Sequence, residues 1–212
     1  MEEILRYIST QGLALFLIAL IVYFGIQFLN IYLEKFKKRH EVKQHDRLTD
    51  LRQQLGKEIK LILDNMLLRT HGIRAYVFEF HNGVMSMGGL PFGKMSCTYE
   101  VLEKNTSSEM YDRQNLSLFL YSTLIDSLHE NRYIVADTMN RTDIESSLGY
   151  ETLVKRGIIT TIRAGLRDKN NRVFGFVGVD YDVSQSDENI DTAISIIGDT
   201  SVKVGTLLSI ED

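Results

Sequence analysis

Between Gly12 and Leu33 the chain runs for 22 residues without a charge, "GLALFLIALIVYFGIQFLNIYL". At about 1.5 Å of rise per residue, a helix of that length spans a hydrocarbon core of roughly 30 Å. Buried helices of soluble domains are usually shorter. A cleaved leader would open on basic residues and carry a shorter apolar core, whereas this chain opens "MEEILRYISTQ". An uncleaved transmembrane helix is therefore expected at 12–33, behind a short flank at 1–11. The rest must stand outside the bilayer: across 212 residues, 25% are charged and 44% hydrophobic, a balance typical of a folded chain with aqueous surface.

Charge sets the expected orientation. After the run come Lys35, Lys37, Lys38, Arg39, Lys43 and Arg47; before it stand Glu2, Glu3 and Arg6. The positive-inside rule places the C-terminal bulk in the cytosol, anchored in an inner or plasma membrane. The basic segment is also suited to anionic lipid. Gln27 and Asn30 are three apart and share a helix face, where interhelical hydrogen bonds in lipid favour association of copies. The formal charge of −4 gives no basic surplus for nucleic acid.

Residues 34–70 hold no proline and one glycine, Gly56. Leu48, Leu51, Leu55, Ile59, Ile62 and Met66 recur at steps of three and four, an apolar stripe along one helix. The first half suits a dimer seam, the second half a sheet. The basic juxtamembrane segment and this helix leave 71–212 as one soluble domain.

In that domain, "GIRAYVFEFHNG" reads as a strand ending in a turn, since Asn-Gly is a strong turn dipeptide. Residues 84–100, rich in glycine and methionine, read as irregular, and 107–130 as a helix capped at Ser107 or Ser108. "RYIVADT" is a short strand and "YETLVKRGI" a short helix closed by Gly157. "ITTIRAGLRD" and "RVFGFVGVDYD", joined by "KNN", form a hairpin. Asp187 to Ser209 is an amphipathic helix with Ser186 at its N-cap and Ile190, Ile194, Ile197, Ser201, Val204 and Leu208 on one face. An α+β domain follows: an antiparallel sheet covered by the first and last helices.

The close of the chain, "RGIITTIRAGLRDKNNRVFGFVGVDY" and its helix, resembles the end of a GAF domain, and "RYIVADT" and "ETLVKRGI" fall where that fold places them. The resemblance covers about residues 50–210. It implies a GAF/PAS-like sensory module that binds a small molecule, a chromophore or another protein. A further resemblance is to holins of the T-even phages, also short chains with one N-terminal span and a PAS/GAF-like domain. It rests on "AYVFEF", "GGLPFGKMSCTYEVL" and "VFGFVGVDY". It implies a lysis protein that oligomerises in the membrane and is regulated through its soluble domain, with that domain on the outer side.

Strand periodicity nominates a site. Tyr76, Phe78 and Phe80 share one face, while Ala75, Val77 and Glu79 share the other. In the hairpin, Phe174, Phe176 and Asp180 alternate with Val173, Val177, Val179 and Tyr181; Thr161, Arg163 and Arg167 alternate with Ile162, Ala164 and Leu166. One face is small and β-branched; the other is aromatic with a few polar groups, the lining of a small-ligand pocket. The expected ligand-binding residues are Tyr76, Phe78, Phe80, His81, Met95, Tyr99 and Arg163.

Catalytic motifs are weak. Glu79 and His81 share a strand side, but acid–base work needs a substrate that nothing here identifies. Cys97, the one cysteine, would need an electropositive, accessible setting to be a nucleophile. "GGLPFGKM" approaches a phosphate-binding loop, yet Met95 replaces the hydroxyl that holds magnesium. The five histidines lack metal-ligand spacing. The expected function is thus a non-enzymatic, membrane-anchored binding or interaction module, without a metal or cofactor, with the holin-like role as the alternative.

Overall fold

A strand covered on both sides alternates two kinds of buried residue, and that alternation organises this protein. The computed structural model describes residues 2–85, 91–139 and 147–209, with side chains placed at 22–38, 46–82, 93–139 and 149–209. The chain divides into two units, Met1–Gln53 and Gln54–Asp212. The first is helical, within α1 (Glu2–Thr70). The expected span at 12–33 lies in α1, and residues 12–21 of it fall outside the described side chains. Among the described residues no helix is long and apolar enough to cross a membrane.

In the second unit, α1 leads into β1 (Arg74–Met85) and β2 (Pro91–Leu102). Next come β3 (Leu116–Ser117), a 3-10 turn (Leu118–Tyr121), α2 (Ser122–Glu130) and β4 (Tyr133–Asp137). The chain ends with α3 (Ser147–Lys155), β5 (Thr160–Arg167), β6 (Val173–Tyr181) and α4 (Asp187–Leu208). The strands form an antiparallel sheet in the order β3-β2-β1-β6-β5-β4.

One face is dry. Ala75, Val77, Ile162, Ala164, Val177 and Val179 meet Ile59, Leu63, Met66 and Leu67 of α1 and Ala193, Ile196, Ile197 and Val204 of α4. Ser186 caps α4 by accepting from the Asn189 amide at 3.4 Å. The stripe on α1 divides at the unit boundary: Leu55, Ile59, Ile62 and Met66 pack here, whereas Leu48 is exposed. On the opposite face Tyr76, Phe78, Met95, Cys97 and Phe176 meet Leu124 and Leu128 of α2.

Four expectations are corrected. The irregular segment 84–100 contains most of β2, a full partner of β1; Gly88, Gly89, Pro91 and Gly93 had masked its alternation "KMSCTYEV". His81-Asn82-Gly83 is not the turn, because β1 continues to Met85. Helix 107–130 shrinks to 122–130. Ser108 Oγ donates to Glu100 and accepts from the Met110 amide, bracing only the short turn that follows, and Asn115 takes a left-handed φ of 56° that ends that turn. Phe174 packs on the dry face and Val173 on the other, because the β5–β6 register shifts between Leu166 and Arg167.

Candidate functional site

Cross-strand register builds the site in rows. Arg74, Asp180 and Thr161 stand abreast on β1, β6 and β5; Tyr76, Gly178 and Arg163 form the next row; Phe78 and Phe176 the one after. Gly178 is required there, since a Cβ would come within 2.7 Å of the Tyr76 ring. Phe78 and Phe176 stack at 4.8 Å and 10°, and Tyr76 meets both edge-on.

The polar row is a buried ion network. Asp180, fully buried, accepts at Oδ1 from Tyr76 (2.9 Å) and Thr161 (2.8 Å). Its Oδ2 lies 3.4 Å from both Arg74 Nη1 and Arg113 Nη2. Arg74 also approaches Glu100 (3.1 Å) and Glu109 (3.2 Å). Glu109 accepts from Arg113 and stands 3.2 Å from Arg156 Nη1. The Arg163 Nε donates to the Tyr76 hydroxyl at 3.2 Å. Burial, aided by the Asp180 charge, pushes the Tyr76 phenol up to about 12. Burial and the neighbouring Arg113 charge lower the Arg156 pKa.

Helix α3 is the opposite wall, and its end is locally encoded. Gly157 takes φ 67° at the C′ position, with Ile158 N donating to Leu153 O and Gly157 N to Val154 O, both at 3.0 Å. That is a Schellman closure, sealed by Leu153 against Ile158. It holds Thr152, Leu153 and Arg156 toward the sheet. Between the walls lies a cavity of about 40 Å³, lined by Tyr76, Phe78, Met95, Arg113, Leu116, Tyr121, Leu124, Gly149, Thr152, Leu153, Arg156, Arg163, Phe176 and Asp180.

Of the residues expected from sequence, Tyr76, Phe78, Met95 and Arg163 meet at this cavity. Phe80 lies one row further along β1 and tilts against Phe176 at 6.3 Å, outside the lining. Tyr99 is on the dry face beside Gly56 of α1. It shares the parity of Met95 and Cys97, but the register slips between Val77 and Phe78: Val77 pairs with Tyr99 and Phe78 with Cys97, leaving Thr98 as the extra residue. His81 is exposed and hydrogen-bonds Ser96 Oγ at 2.9 Å. Gln27 and Asn30 belong to the first unit and are exposed.

Asp180, Arg113, Arg156, Tyr121 and Thr152 were missed. Asp180 carried a signal, an acid in the otherwise apolar strand "VFGFVGVDY". Arg113 carried little, because Asp180, which ties it to the sheet, is far along the chain. Cys97 is buried, its thiol directed to the Tyr99 carbonyl at 3.5 Å and pushed by burial up to about 12. "PFGKM" at 91–95 is strand β2 rather than a loop before a helix. Among the described residues no group of three or more metal-ligating side chains is gathered.

No protein-family model matches the chain, and no curated protein matches it. Solved structures do. The phycoerythrobilin-bound GAF domain of a cyanobacterial phytochrome superposes with a TM-score of 0.52 at 14% identity, over 76% of this chain and 89% of that one. The blue-light absorbing form of the Thermosynechococcus elongatus PixJ GAF domain gives 0.53 at 8% identity, over 74% and 88%. The GAF domain/HD domain protein of Geobacter sulfurreducens gives 0.51 at 10% identity, over 74% and 97%. At these identities the likeness establishes the fold: an α+β domain of GAF type.

Proposed function

We propose that this chain is a membrane-anchored, non-enzymatic sensory module whose GAF-like domain takes a small molecule between α3 and the aromatic face of β1 and β6. The observation that carries the reading is the cavity itself: an aromatic and aliphatic floor, a few convergent polar groups, and walls from separate elements, which is how small-ligand sites are built. The fold is one that holds phycoerythrobilin in the phytochrome structure and has a blue-light absorbing form in PixJ. A bilin does not fit here. Sites for ligands of even drug size occupy roughly 300–1,000 Å³, against about 40 Å³ in this protein.

The anchor is supported by the uncharged run Gly12–Leu33 and by the exposed apolar side chains from Val22 to Phe36. A helix apolar on all sides belongs in a core or a bilayer. The basic segment after Leu33 favours the cytosolic side of an inner or plasma membrane for the domain. Gln27 and Asn30, with the first half of the 34–70 stripe, are the faces on which copies of the chain associate.

A test joins both parts. A compartment-sensitive reporter is fused after Asp212 in bacteria, and the purified full chain is screened by thermal shift against a mixed library of charged and neutral metabolite-sized compounds. A cytosolic reporter with at least one saturable stabiliser is expected. A periplasmic reporter with abrupt lysis would replace the sensory reading by the holin-like one.

A further inference from the structure

Arg113 is 4% exposed and lines the cavity, its guanidinium carbon 5.2 Å from the centre of the Tyr76 ring. Its Nη2 is engaged by Glu109 and Asp180. Its Nε is buried and has no acceptor among the described residues. A buried charged donor left unmatched is costly, and native folds supply it with an acceptor. The one carboxylate on the cavity wall, Asp180, is already engaged on both oxygens. The other polar groups on that wall are guanidinium groups, those of Arg113, Arg156 and Arg163, and the hydroxyls of Tyr76, Tyr121 and Thr152. The guanidinium is a donor only, and its planar fork matches a carboxylate.

We infer that the ligand of this cavity is a short-chain carboxylate, its anionic head received by Arg113 and its carbon tail laid on Phe78, Phe176 and Leu124. Three observations converge on that class. A ligand must bring acceptors, because the guanidinium groups on the wall are donors only. It must not be cationic, because the guanidinium groups of Arg113, Arg156 and Arg163 already line the wall. And it is small: about 40 Å³ is near three times the minimum for one water, room for roughly four non-hydrogen atoms. A tetrahedral phosphate would bring a second charge into contact with the apolar floor, which offers it no donors. The ceiling on binding per non-hydrogen atom limits a four-atom carboxylate to a Kd of roughly tens of micromolar at tightest.

This assignment rests on the sensory reading above, and its test separates the two. The purified full chain is titrated by calorimetry with acetate, propionate and butyrate. Acetamide, propylamine and inorganic phosphate are titrated in parallel, at constant ionic strength in chloride. Saturable binding is expected for acetate or propionate, at least tenfold weaker for acetamide and phosphate, and absent for propylamine. Arg113→Lys, which keeps the charge and removes the Nε donor, should weaken carboxylate binding at least tenfold. Leu116→Phe fills the cavity without touching the ion network and should abolish binding while the native circular dichroism persists, so the result stands even if Arg113→Lys fails to fold. Equal affinity for acetamide and acetate, or undiminished binding by Arg113→Lys, overturns the carboxylate and leaves the small-molecule reading in place. If only compounds outside this series stabilise the chain in the library screen, the ligand class is wrong; if no compound of any charge does, both readings fall.

Discussion

The two faces of one sheet have been put to opposite uses. Under α1 and α4, alternate residues of β1, β5 and β6 are Ala75, Val77, Ile162, Ala164, Val177 and Val179, packed into one apolar cluster. The residues between them, one step along the same strands, are Arg74, Tyr76, Phe78, Thr161, Arg163, Phe176 and Asp180. The first set derives its stability from apolar burial, at about 25 cal/mol per Å². The second takes charges out of water and recovers that cost only through complete pairing. A domain tolerates such a face when the opposite one is well packed, and the polar face is the one with a cavity.

The largest expected effect comes from breaking the charged face. Asp180→Ala leaves Arg74 and Arg113 facing each other in the interior, and should lower unfolding stability by about 3–5 kcal/mol in urea titrations. Breaking the dry face costs slightly less: Ile197→Ala, fully buried under the sheet, should cost about 2–4 kcal/mol through lost burial and a residual void. It should leave small-molecule affinity unchanged, which Asp180→Ala cannot.

Alkali distinguishes the faces without mutation. In the folded chain Tyr76 keeps its proton up to about pH 12, against 10.0 in the unfolded chain. Its contribution is therefore fully present below pH 10 and is lost as pH rises toward 12. Two pH units correspond to on the order of 3 kcal/mol. Tyr76→Phe should flatten that part of the stability–pH curve. The smallest effect is expected at His81→Ala: the ring is exposed and hydrogen-bonds the Ser96 hydroxyl, so stability should change by less than about 0.5 kcal/mol.

What was legible in the sequence follows the range of the interactions. Alternation over Ala75–Phe80 separated the two faces because each strand residue has only two directions to point. Ser186 and the apolar spacing of Ile190, Ile197 and Val204 marked α4, and Gly157 marked the end of α3, because caps and periodicity are local. Tyr99 was lost because one bulge residue, Thr98, reverses the parity of everything beyond it. Strand β2 was hidden by Pro91 and Gly93, whose local preference is overridden by pairing with β1. Arg113 stood out little because, of the two carboxylates that hold it, only Glu109 is local; Asp180, which ties it to the sheet, is 67 residues away.

The two faces make the decisive measurement simple, since each is met by a methionine. Met95 lines the cavity, and Met66 of α1 packs on the dry side. With the methionine methyl groups labelled with carbon-13, the full chain is titrated with the stabilising compounds from the library screen. The account predicts that the Met95 methyl resonance moves saturably while that of Met66 stays in place. Movement of Met66 with Met95 unchanged would contradict it, and would put the binding face on the other side of the sheet.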